Sequence, residues 1–217
     1  MVEVELSKED LCNYLFELED IGIGSYGIVK KINDDVCVKI YYKDIYKTFV
    51  SKNINNIDDE INTRLDIQNE SIKLSLLNKE MYENCITKLE LLSQLGYINK
   101  VLYYKGYKIG IEMKNYQNYK SLCDAASYLD MDSIKIIIDK IRLKLDELLT
   151  LNIFPRDLTS NNVLVDINTL DVVLIDLDDI CTRYDTNGYL EKNPRVRKYL
   201  LNDCNKKFSH LKQLYID

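Results

Sequence analysis

Apolar and polar residues alternate from Leu18 to Gly24 and again from Gly27 to Ile32, the period-two signature of half-buried strands. Asn33-Asp34-Asp35 has turn chemistry, and Val36 to Tyr42 reads as a third strand. Residues 43–57 read as an irregular insertion. From Asp58 to Leu95 the spacing becomes helical, with Leu74, Leu77, Met81, Cys85, Leu89 and Leu92 at three- and four-residue steps and Gly96 as the stop. Two further strands, Ile98–Tyr104 and Tyr107–Met113, meet at a tight turn. The second half opens on a long helix whose apolar stripe is Ile134, Ile137, Ile138, Ile141, Leu145, Leu148 and Leu149, with Asp132 or Ser133 as its N-cap. An irregular stretch, 154–162, leads into two short strands, Val163–Asp166 and Val172–Ile175, and the last forty or so residues read as helical. Five strands around a helix, followed by a mainly helical half, predict an α+β chain of two lobes, 1–113 and 114–217.

Composition narrows the choice. The chain has 217 residues, 46% hydrophobic and 29% charged, enough to build a core. A net charge of -6 argues against nucleic acid as a partner, since phosphate binding calls for a basic stripe. No run approaches the roughly 18 apolar residues of a membrane span, and the acidic start, Val2-Glu3-Val4-Glu5, is unlike a signal peptide. Six scattered cysteines without a Cys-x-x-Cys pair fit a reducing compartment. The single histidine, His210, points to chemistry without imidazole.

Only seven glycines are present, and three stand in Gly22-Ile23-Gly24-Ser25-Tyr26-Gly27 at the junction of the first two strands. Glycines there let backbone N–H groups approach phosphate oxygens closely, although a plain hairpin would use them too. Because Ile28-Val29-Lys30-Lys31 continues as a strand, the string fits a hairpin phosphate loop better than a dinucleotide turn, whose third glycine opens a helix. Twelve residues beyond Gly27, Lys39 interrupts an apolar strand while Val38 and Ile40 point to the opposite face. A lysine on a buried strand face calls for an anionic partner, and nucleotide phosphate is one such partner.

The strongest signal is Arg156-Asp157-Leu158-Thr159-Ser160-Asn161-Asn162, followed by Ile175-Asp176-Leu177-Asp178-Asp179. A loop Asp, an Asn five residues on, and an Asp ending the next strand gather three oxygen ligands. Phosphoryl transfer needs such a set: a carboxylate by the attacking hydroxyl, and an amide and a carboxylate for Mg²⁺.

With these four motifs in order, residues 18–180 resemble the eukaryotic-like protein kinase superfamily, in particular its small truncated bacterial or viral members of the YrbL-like or secreted-effector kind. The resemblance implies a two-lobed protein-kinase-like fold with a five-stranded N-lobe and a truncated helical C-lobe. It implies an ATP-dependent kinase using Mg²⁺, with Mn²⁺ as a substitute. By the resemblance, Lys39 holds the α- and β-phosphates under the Gly22–Gly27 loop, and Asp157 orients or deprotonates the acceptor. Asn162 and Asp176 bind the metal. Val29, Val38 and Leu164 sandwich adenine, and the backbone of Glu112, Met113 and Lys114 reads its edge. Tyr26 lids the phosphates, and Glu83 pairs Lys39, with Glu80 and Glu90 as alternatives.

The departures matter equally. Pro155 replaces the family's His, Thr159 its γ-phosphate Lys, and Asp178 the Gly of Asp-Phe-Gly. Only 41 residues follow Asp176, too few for a peptide-docking lower lobe and an activation loop. Arg156 is then expected to be structural, pairing Asp178 or Asp179. The first functional expectation is a protein Ser/Thr kinase, with an activating protein as a further expected partner. The alternatives are a kinase of small sugar-like molecules and a pseudokinase serving as an interaction module. A cytoplasmic protein, or an effector secreted into a host cytosol, suits all three.

Overall fold

A computed structural model describes residues 2–23, 27–41, 89–104, 107–178, 182–185 and 188–216. The chain is α+β and divides into two compact units, Met1–Gln117 and Asn118–Asp217.

The first unit is built on a mixed six-stranded sheet. Its strands are β1 (Val2–Glu5), β2 (Asp20–Ile23), β3 (Ile28–Lys31), β4 (Val36–Ile40), β5 (Lys100–Tyr104) and β6 (Tyr107–Lys114). They lie in the order β1-β5-β6-β4-β3-β2, antiparallel throughout except for β1 against β5. Five of the six match strands the alternation predicts. The edge strand β1 and the helix α1 (Lys8–Cys12), which widens into a π-helical turn over Asn13–Glu17, are additions. Ser7 starts α1 through a capping box: its hydroxyl accepts the Asp10 N–H, and the Asp10 carboxylate accepts the Ser7 N–H. This segment closes one face of the sheet, where Leu6, Leu11 and Leu15 pack with Val38, Ile40, Leu102, Tyr104 and Ile109. Residues 89–94 are helical, and Gly96, at φ +77°, ends them in the left-handed backbone that favours glycine. The expected insertion over 43–57 and most of the 58–95 helix lie outside the described residues.

The second unit is organised around α3 (Met131–Thr150), preceded by β7 (Lys120–Ser121) and the helical turn α2 (Leu122–Ala125). All seven residues of the predicted apolar stripe of α3 are buried. Its N-cap is Asp130, not Asp132 or Ser133: the Asp130 carboxylate accepts the Ser133 N–H at 2.7 Å, and its backbone is still extended. The hairpin β9 (Val163–Val165) and β10 (Val172–Leu174) pairs with β7 in a three-stranded sheet. A second small ladder joins β8 (Ile153–Phe154) to β11 (Arg183–Tyr184). The chain ends in α4 (Tyr189–Lys192) and α5 (Pro194–Ile216). No helix among the described residues is long and apolar enough to cross a membrane.

Candidate active site

In the second unit the sequence motif folds into one connected arrangement. The chain leaves β8 at the buried Phe154, passes the buried Pro155, and turns at Leu158, which anchors the loop at 5% exposure. Asp157 stays exposed. Its carbonyl accepts the Thr159 N–H at 3.0 Å, a tight turn that brings Asn162 back beneath it. The Asn162 carboxamide nitrogen then donates to both the Asp157 carbonyl and the Asp157 carboxylate, each at 2.9 Å. Two oxygen acceptors fix the amide's orientation, so its own oxygen is the atom left to face a ligand.

Asn162 is also tied to the following hairpin. Its carbonyl accepts the Ile175 N–H at 3.0 Å, which places Asp176 immediately beyond the loop. Asp176 has φ +62°, a left-handed backbone that is uncommon for any residue with a side chain. The register Leu164↔Val173, with Val163 and Val165 buried behind it, leaves Leu164 half-buried on the other face of the hairpin.

Arg156 does not pair with Asp178. Its Nε reaches Asp203 Oδ2 of α5 at 3.3 Å, and Asp179 lies outside the described residues. The reason is geometric: α5 runs past the start of the loop, where the Cys204 thiol also donates to the Pro155 carbonyl at 3.3 Å. Burial pushes the Cys204 thiol up to about 11.

In the first unit, the ladder shows what surrounds Lys39. It lies opposite Val29 on one side and Ile111 on the other, and Ile111 lies opposite Val101. Lys39 is therefore the single charge in an apolar row, 8% exposed, with its ammonium 5.8 Å from the centre of the Tyr41 ring.

One expectation needs correction here. Val38 faces away from Lys39, into the core with Leu6, Leu11 and Leu15, so it cannot flank a ligand that Lys39 holds. Two residues before Lys39 and on its face stands Cys37, buried, with its thiol raised to about 11 by burial. Glu112 is engaged on the other face. Its carbonyl accepts the Asn99 N–H at 2.8 Å, and its side chain pairs Lys100 at 2.8 Å. Met113 lies opposite Cys37 within the ladder, and the Lys114 carbonyl accepts the Cys37 thiol at 3.4 Å. Within β6, Glu112 is paired on both sides, and Met113 and Lys114 lie opposite Cys37 and Val36 of β4.

Of the glycine loop, Gly22, Ile23 and Gly27 are described; Gly24, Ser25 and Tyr26 are not, nor are Glu80 and Glu83. Glu90 is exposed on the helical residues 89–94. A Cβ on Gly27 would stand 2.4 Å from the Ile40 carbonyl oxygen, so packing alone demands glycine there. At Gly22 the nearest atom would be Val29 Cβ at 3.6 Å, an ordinary contact. Gly22 is not required by sterics.

Sequence reasoning did not anticipate Lys30. It is 1% exposed, pairs Asp20 at 2.6 Å and donates to the Leu18 carbonyl at 3.1 Å. Nor did it anticipate Asp203, for which no motif exists. Among the described residues, no group of three or more His, Cys, Asp or Glu side chains could hold a metal ion. Asn162 and Asp176 supply two hard oxygen donors, a set that suits Mg²⁺ when waters and phosphates complete the shell. No protein-family model matches the chain, and no curated protein matches it.

Proposed function

We propose that the chain is an ATP- and Mg²⁺-dependent phosphotransferase with a kinase-like fold, acting on a hydroxyl acceptor. The observation that carries this reading is the linkage of Asp157 to Asn162 through two bonds of the Asn162 amide, and of Asn162 to Ile175, the residue before Asp176, through a backbone bond. Asp157 has one carboxylate oxygen held by the Asn162 amide, which sets its orientation. Its exposed carboxylate then accepts the hydrogen of the incoming hydroxyl. Asn162 and Asp176 hold Mg²⁺, which neutralises phosphate charge when bound. Lys39 serves the α- and β-phosphates, and its apolar row strengthens that attraction by lowering the local dielectric. Val29 shares its face as expected, and Cys37, on the same face, takes the place of Val38 in contacting the base. The antiparallel order β2-β3-β4-β6-β5 supports the five-stranded N-lobe that the resemblance implies.

A Ser/Thr side chain of a protein is the acceptor this reading takes first. One observation favours a small hydroxylated molecule instead. Arg183 already pairs with Phe154 seven residues after Asp176, leaving little chain for a peptide platform.

Nucleotide linkage tests the proposal. At 100-fold above Kd, Mg·ATP should stabilise the protein by about 2.7 kcal/mol, a rise of several degrees in Tm. Absence of any shift with ATP, ADP or GTP, with Mg²⁺ or Mn²⁺, would leave an interaction module in its place.

A further inference from the structure

The proposed catalytic loop is braced by the last helix of the chain. Arg156, next to Asp157, meets Asp203 at 3.3 Å, with the two side chains 32% and 21% exposed. One residue on, the Cys204 thiol, fully buried, bonds the Pro155 carbonyl. The same helix reaches the residue before β8, where Arg197 Nε donates to the Asn152 side-chain oxygen at 3.0 Å. It is fixed to α3 by Arg142, which donates to Asn205 at 2.7 Å and lies over the Phe208 ring. Three residues before the loop's Asp, namely Asn152, Pro155 and Arg156, are thus referenced to a helix that is itself anchored elsewhere in the unit.

Between Asp176 and β11 the described residues are Leu177, Asp178 and Thr182. Thr182, the residue there that a kinase could modify, is 5% exposed and precedes a paired strand. A phosphate on its hydroxyl would have to displace packed neighbours before it met any arginine.

We infer that Asp203 is a positioning residue: through Arg156 it holds the Asp157 loop in its working geometry with a permanent carboxylate, with no need for a reversible phosphate. This deepens the proposed phosphotransfer and rests on it. The charge-assisted contact orients the guanidinium, and the guanidinium fixes the backbone from which Asp157 and, through the Asn162 amide, the metal-binding pair are hung. The loop is then assembled as soon as α5 docks.

The test uses the full chain and two readouts, amide exchange of residues 156–163 by mass spectrometry and steady-state transfer from Mg·ATP. Asp203→Asn keeps the size of the side chain and removes its charge; Asp203→Glu keeps the charge. In Asp203→Asn, exchange over 156–163 should accelerate fivefold or more while β3 and β4 stay protected. kcat should fall at least tenfold with KM for ATP within twofold. Asp203→Glu should return both to within threefold of wild type, and Thr182→Ala should change kcat less than threefold. Unchanged loop exchange in Asp203→Asn overturns the inference whatever the activity. So does wild-type kcat in that variant, or a tenfold loss in a folded Thr182→Ala. Loosened exchange in a chain whose wild type transfers no phosphate would uphold the brace and refute the phosphotransferase reading instead.

Discussion

The two faces of the first unit's sheet carry neighbouring rows that differ in kind. On one face run Lys30, Val38, Glu112 and Lys100, and on the other Val29, Lys39, Ile111 and Val101. Both rows contain a buried lysine, and burial alone does not separate them. Their surroundings do. Lys30 has a carboxylate and a carbonyl at bonding distance, and Glu112 has Lys100, so charges on that face are matched within the sheet itself. The same face is closed by the segment that begins at the Ser7 capping box. Lys39 sits instead among aliphatic side chains on the face that Val29 and Cys37 share. The ladder sets Lys30 beside matched charges and Lys39 in an aliphatic row, and the two rows are therefore expected to answer differently to loss of the ammonium.

The comparison breaks most readily by substitution. Lys39→Met should reduce phosphotransfer at least 100-fold, a loss far larger than its effect on Tm, which should stay within a few degrees. Lys30→Met should do the reverse. It strands the Asp20 carboxylate and the Leu18 carbonyl, costing about 2–3 kcal/mol in urea unfolding, with activity per folded molecule unchanged. Activity lost in Lys30→Met without loss of stability would contradict the division of roles.

The glycine loop sharpens the same contrast. Gly27→Ala drives a Cβ against the Ile40 carbonyl and should cost about 1–3 kcal/mol, read as a shift in urea midpoint. Gly22→Ala should cost under about 0.5 kcal/mol and instead weaken Mg·ATP binding severalfold, measured by calorimetry.

The smallest effects concern the thiols. Cys37 and Cys204 have native values near 11 against an ordinary 9. The unfolded chain therefore loses these protons first. Their contribution to stability is intact below pH 9 and declines as pH rises from 9 to 11. At pH 8, iodoacetamide should label the exposed Cys123 well before either of them, followed by peptide mass analysis.

Much of this organisation was legible in the residues. Alternation located five strands, most plainly β3, whose residues alternate buried and half-buried, and the α3 stripe was complete because a long helix repeats its pattern over five turns. The connected loop at Asp157 was legible because its residues are close in sequence, so local hydrogen bonds assemble it. Three things were not. β7, two residues long, is too short to show a period, and β1, although Val2-Glu3-Val4-Glu5 alternates, depends for its pairing on β5, about a hundred residues away. The Arg156–Asp203 contact spans 47 residues and leaves no spacing to detect. Val38 was misplaced for a different reason. Period two puts it opposite Lys39, and the resemblance put it beside the same ligand; the ladder follows the period.

The most direct measurement of the central claim is transfer of labelled γ-phosphate from Mg·ATP by wild type and Asp176→Asn, offered a protein mixture and a small-molecule fraction separately. The account predicts magnesium-dependent label in one fraction with wild type, and a loss of at least 100-fold with Asp176→Asn, which still binds nucleotide without metal. Equal transfer by the two proteins, or none by wild type under any metal, would contradict it.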